Sequence, residues 1–141
     1  MFEKLFNTIS IVFGLIGGYI CSFIGGYDII LKALVTLVVL DYVTGLLKAL
    51  SNKTLSSEVG FRGILKKITI FIVVGTAVVV QKVAGDAIPL REITIVFYIC
   101  NEGISLLENA SEFVPLPDKL KTTLIQLRDN NEGDDENEDK Q

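Results

Sequence analysis

The 141-residue sequence has no histidine. That removes Ser-His-Asp and Cys-His catalysis and imidazole–metal chemistry. Cysteine is scarce: Cys21 and Cys100 both lie in apolar segments, where a thiol behaves as a small hydrophobe. One such pair without histidine is a poor ligand set, so neither a metal site nor a disulfide is expected. Charge is missing from a long stretch. No Asp, Glu, Lys or Arg stands between Lys4 and Asp28, a window long enough to cross a ~30 Å hydrocarbon layer as a helix. No phosphate-cradling glycine loop follows a strand, and no serine has an obvious base near it. No face interleaves basic with aromatic residues, which excludes nucleic acid as a partner. The chain is expected to be no enzyme and to use no cofactor.

Half of the residues are hydrophobic and the mean hydropathy is positive, too apolar for a soluble domain that must interleave polar positions. The formal charge of −4 is unevenly placed. Residues 129–141 hold seven acids and one base, whereas residues 1–128 hold twelve bases and ten acids. The membrane-facing body is therefore mildly basic, and the acidity belongs to the tail.

The pattern predicts an all-α integral membrane helical bundle of four transmembrane helices, with three as the alternative, plus a short C-terminal amphipathic helix. The spans are expected at about residues 9–26, 29–50, 66–84 and 91–107, within one membrane domain covering 1–128. Lys4 ahead of an apolar run also fits a signal peptide, but the run is long for one and Ile20 before Cys21 does not suit lipoprotein cleavage. A retained helix is expected. Residues 51–67 form a basic connector in which Phe61, Ile64, Leu65 and Ile68 follow helical spacing, so an interfacial helix should begin near Ser56 or Ser57. After Pro115 and Pro117, residues 118–128 place Leu120, Leu124 and Leu127 on one face, suited to lying on the membrane surface. The tail, 129–141, is expected to be disordered.

Basic residues fix the expected orientation. Lys53, Arg62, Lys66 and Lys67 crowd the middle loop, with Lys4 before the first span and Lys119, Lys121 and Arg128 after the last. Positive-inside counting puts both termini and that loop in the cytoplasm, which requires an even number of spans.

Two features could carry function. In the first span Ser10, Gly14, Gly18, Ser22 and Gly26 recur every fourth residue, a stripe that lets helices approach closely, although glycine is common in membrane helices anyway. Asp41 and Glu102 lie at similar depths, roughly 16–18 Å from the outer interface at 1.5 Å per residue. With Thr44 and Asn101 they could form an intramembrane polar layer, for which Lys66 and Lys67 are candidate partners. Either the layer lines a water path on assembly or its contacts only hold the bundle together.

The stretch Asp41-Tyr-Val-Thr-Gly45, followed by Leu55-Ser-Ser57, Gly60 and Gly63-Ile-Leu-Lys-Lys67, resembles the phage lysis and toxin-secretion holin family. So does Asn101-Glu-Gly-Ile-Ser-Leu-Leu-Glu-Asn109, followed by Val114-Pro-Leu-Pro117 and the leucines at 120, 124 and 127. The resemblance implies a non-enzymatic protein of the bacterial inner membrane. It would oligomerise with its own copies and open lesions that release an endolysin or a large toxin. It marks Asp41, Thr44, Gly45, Asn101, Glu102 and Gly103 as motif residues without assigning them roles. Family members are often described with three spans, whereas charge counting favours four here. Two other classes compete: a small channel or transporter working through Asp41 and Glu102, and a membrane anchor or scaffold that binds a partner through its tail. No inverted repeat is visible, which counts against a typical transporter.

Overall fold

Local signals punctuate the chain before any packing is considered. Asp28 caps one helix by accepting a hydrogen bond from the Leu31 amide at 3.1 Å. Ser56 caps the next through Val59 at 3.2 Å. Gly85, at φ +83°, closes that helix in the left-handed conformation glycine adopts without strain. The structure, a computed structural model, describes residues 1–136. Among these there are five α-helices and no strand: α1 (Phe2–Phe23), α2 (Ile29–Ser51), α3 (Ser57–Ala84), α4 (Leu90–Ala110) and α5 (Asp118–Glu136).

The core lies where α2, α3 and α4 meet. Leu34, Val74 and Ile95 are fully enclosed, joined by Leu31, Val38, Ile70 and Ile24. Polar contacts fix the directions. Arg91 meets Asp28 at one end, and Glu112 meets Lys48 at 3.0 Å and Asn52 at 3.3 Å at the other. Helices α2 and α4 therefore run parallel and level along their whole lengths, with α3 antiparallel to both. The Tyr42 hydroxyl donates to the Gly60 carbonyl at 3.2 Å. A Cβ on Gly63 would stand 2.9 Å from the same ring, so this motif glycine makes room for Tyr42.

By length and composition three helices can cross a membrane: α1, α2 and α3. The fourth expected span, α4, is not among them, because Arg91, Glu92, Glu102 and Glu108 dilute its apolar residues. In place of a separate interfacial helix before a short span, α3 is one helix of 28 residues. At 1.5 Å per residue it is longer than the hydrocarbon layer is thick, so its basic first turns extend beyond it.

Three further expectations change. Helix α1 stops at Phe23 because Gly25 and Gly26 take positive φ, +87° and +101°. Gly26 thus leaves the small-residue stripe and sits in the α1–α2 loop. Helix α5 does not stand apart on a membrane surface but folds back along α4. Leu124 fits against Gly103, and Lys121 bonds Glu108 at 3.0 Å. The half-buried face is Leu124, Ile125 and Arg128, leaving Leu120 and Leu127 about half exposed. The helix also continues past Arg128 to Glu136, into the segment expected to be disordered. Extending a formed helix costs little per residue, and no proline interrupts the run. Residues 137–141 of that tail lie outside the described residues.

Helix α1 is the outlier. Within the described residues nothing buries any of its side chains, and only its last turn touches the bundle. A Cβ on Gly75 would collide with the Phe23 ring, so α3 receives that ring on a glycine. A helix apolar on all sides with no protein around it is suited to lipid.

Candidate functional site

Lys67 enters the bundle from α3, at the point where the helix passes from its basic start to its apolar run. Its ammonium donates to Asp41 Oδ2 on α2 and to Glu102 Oε2 on α4. Asp41 and Glu102 are 6% and 4% exposed, so their carboxylates depend chiefly on protein partners. Asn109, the penultimate residue of α4, adds another. Its Nδ2 donates to Asp41 Oδ1 at 3.1 Å and to Thr44 Oγ1 at 3.4 Å. The Thr44 hydroxyl donates back to the carbonyls of Leu40 and Asp41. A single network therefore joins three helices, with two acids sharing one base. Such a group is expensive to bury unless bonded, and here both carboxylates bond the Lys67 ammonium.

Of the residues expected in the polar layer, the structure brings Asp41, Glu102 and Thr44 together. It adds Lys67 from the basic loop set. Asn101 goes elsewhere: with Lys66, Thr69, Tyr98, Ser105 and Glu108 it lines a cleft of about 600 Å³ between α3 and α4, beside Glu102. On α4, Asn101 is rotated a quarter turn from Glu102, so adjacency in sequence does not mean a shared face. Lys53 and Arg62 stay exposed at the loop, where Arg62 pairs with Glu58 at 2.8 Å. Nothing among the described residues comes within 4 Å of where a Cβ on Gly14 or Gly18 would stand, and Ser10 and Ser22 are exposed. The stripe is thus unfilled within one chain.

Two participants escape sequence reasoning. Asn109 is one, although its seven-residue spacing from Glu102 returns it to the same helix face. The other is Arg91, 6% exposed. Its Nε donates to the Ile24 carbonyl at 2.7 Å, and its two terminal nitrogens reach Asp28 at 2.7 and 3.1 Å, the Gly26 carbonyl at 2.9 Å and Glu92 at 3.4 Å. The Gln81 side chain accepts from the Arg91 amide at 2.9 Å. All five guanidinium donors are engaged, and the α1–α2 loop is wrapped around them. Gly25 is required there, since a Cβ would stand 2.6 Å from Nε. The signal in sequence was an arginine at the head of an apolar helix with an acid at the head of another.

The Arg91 guanidinium beside Asp28 holds that carboxyl below its ordinary value of 3.8. A depressed acid contributes stability that is complete above its unfolded pKa and is lost as pH falls through its folded pKa. The tie should therefore be intact at neutral pH and fail only in strong acid. Thermal unfolding in mild detergent should show Asp28→Asn melting below the parent at pH 7, with the gap closing as pH falls beneath the ordinary carboxylate range. A constant gap down to the lowest pH would contradict this.

A membrane bundle with a buried ion network, capped by a loop clamped on arginine, is a polytopic helical membrane protein. The chain belongs to the bacteriophage holin family, whose pattern matches residues 18–129. It is 39% identical over 127 residues to an uncharacterised 14.9 kDa protein of Clostridium perfringens, covering 89% of this chain and 96% of that one. An uncharacterised protein of Listeria monocytogenes is 41% identical over 125 residues, 88% of this chain and 86% of its own. A probable holin of Bacillus phage phi105 is 30% identical over 110 residues, 77% of this chain and 82% of its own. No solved structure matches.

Proposed function

We propose that the chain is a working holin, a non-enzymatic protein that accumulates in the bacterial cytoplasmic membrane. It assembles there with its own copies and opens lesions through which an endolysin or a large toxin leaves. The observation that carries this is the family match across residues 18–129, which includes a phage relative named a probable holin. Several features support it. The small-residue stripe Ser10, Gly14, Gly18 and Ser22 is unfilled within one chain, which suits packing between copies in the bilayer. Helix α4 runs level with α2, so if α2 spans, α4 crosses beside it, with Arg91 and Glu102 turned inward to the bundle. That gives four spans with the N-terminus, the basic middle loop and the α4–α5 turn on the cytoplasmic side. Lys67 occupies the space between the two acids, which favours a network that holds the bundle over a selective ion path.

Inducible expression in a bacterium, with and without a co-expressed endolysin, tests the reading. Membrane potential should collapse abruptly after a delay, and the culture should lyse only when the endolysin is present. Normal growth at high expression would sink the proposal. Replacing the endolysin with a large folded reporter measures whether cargo of toxin size escapes. Deleting residues 129–141 should alter timing, whereas complete loss of function would favour the scaffold reading.

A further inference from the structure

Helix α5 lies in a position its composition does not allow in lipid. It returns antiparallel along α4 from the Glu112 end, passing Glu108 at Lys121 and Gly103 at Leu124. Because α4 is level with α2, this places Lys119 to Asn130 beside the inner half of the spans. The outward face of α5 there is Lys119, Thr122, Thr123, Gln126 and Asn130, all exposed. Facing hydrocarbon at that depth, the Lys119 charge and the Gln126 and Asn130 amides would be left unsatisfied. The opposite side of the molecule is the reverse. Val39, Leu40 and Val43 on α2 and Ile72, Val79 and Val80 on α3 are exposed and apolar.

The subunit is therefore amphipathic across the plane of the membrane: lipid-suited α1, α2 and α3, then α4, then a polar α5. We propose that the α4–α5 face is the water-facing wall of the assembled lesion, with α5 docked on α4 as its lining. This rests on the lesion-forming reading above. It explains why Gly103 is a glycine: a Cβ there would stand 3.0 Å from Leu124 Cδ1, so the notch holds α5 close. It also explains why the α5-facing side of α4, with Cys100 and Ile104 buried, needs no lipid. The alternative occupant of that side is lipid, with α5 released onto the membrane surface when lesions open.

The purified full chain with Cys21→Ala and Cys100→Ala, reconstituted in phosphatidylglycerol–phosphatidylethanolamine vesicles loaded with fluorescent dextran, separates the two. Gly103→Cys with Leu124→Cys places thiols where a Cβ on residue 103 lies 4.0 Å from Leu124 Cγ. Oxidation locks α5 onto α4. The locked protein should release dextran within about twofold of its reduced form, and spin labels at Thr123→Cys and Gln126→Cys should relax with a water-soluble metal complex. Labels at Val39→Cys and Val80→Cys should relax with oxygen dissolved in lipid. Release blocked by the lock and restored by reductant would overturn the proposal, as would α5 labels that behave like those at Val39. Should the first pair not fold, Glu108→Cys with Lys121→Cys locks the same contact. If the cysteine-free parent releases no dextran at all, the lesion-forming reading itself fails.

Discussion

Replacing Lys67 by methionine should destabilise the bundle by about 3–5 kcal/mol, the cost of removing one partner from a buried ion network. Methionine matches the length of the lysine stem but leaves Asp41 and Glu102, 6% and 4% exposed, facing each other with no base between them. Asn109 still bonds Asp41, so the larger share of the loss falls on Glu102, which has no other partner on its Oε2. The measurement is the thermal midpoint in mild detergent, with secondary structure followed by circular dichroism. A second protein makes the interpretation specific. Lys67→Met combined with Asp41→Leu and Glu102→Met removes every charge in the network and should recover most of the loss, since well-packed apolar replacements of buried ion groups are often neutral. A single Lys67→Met protein that melts within a degree or two of the parent would show that the network carries no such energy. The recovered triple variant then has a second use. If it folds but triggers at a different time after induction, the charges serve the lesion as well as the bundle.

Arg91→Lys should cost on the order of 2–3 kcal/mol, although it keeps the charge. A lysine ammonium is a point donor and cannot reach Asp28, the Ile24 carbonyl and the Gly26 carbonyl at once, as the planar fork does. The loss should be localised. The α1–α2 loop is held by little else, so limited proteolysis of the detergent-solubilised protein should cut between Phe23 and Asp28 at least several-fold faster in the variant. Equal cutting rates would mean that Phe23 on Gly75 holds the loop without Arg91. Since α1 is otherwise unpacked against the bundle, this clamp sets where α1 leaves it.

Residues 2 to 84 were largely legible because their signals are local. A charge-free window marks most of α1, a long apolar run marks α2, and the caps at Asp28 and Ser56 mark two helix starts. The pairing of Asp41 with Glu102 was approachable too, since depth along a helix follows from counting at 1.5 Å per residue. Rotation about the helix axis was less accessible. Asn101 and Asn109 differ in which way they face, and only Asn109 joins the acids. The folding of α5 onto α4 was illegible for a different reason. An amphipathic stretch with leucines on one side suits a membrane surface and a protein groove equally well, and the groove at Gly103 exists only once α4 is in place.

The sequence by itself determined that this protein is helical, belongs in a membrane and resembles holins. Those conclusions rest on hydrophobic runs, charge placement and motifs, which need no knowledge of distant contacts. Tertiary structure alone decided that Lys67 bridges two acids 26 and 35 positions away, that Arg91 clamps a loop more than 60 residues earlier, and that α5 covers α4. Contacts of that range depend on how helices rotate and pack against one another. That is fixed by the shapes of Gly63, Gly75 and Gly103 and the rings and side chains that fit them, and no local pattern records it.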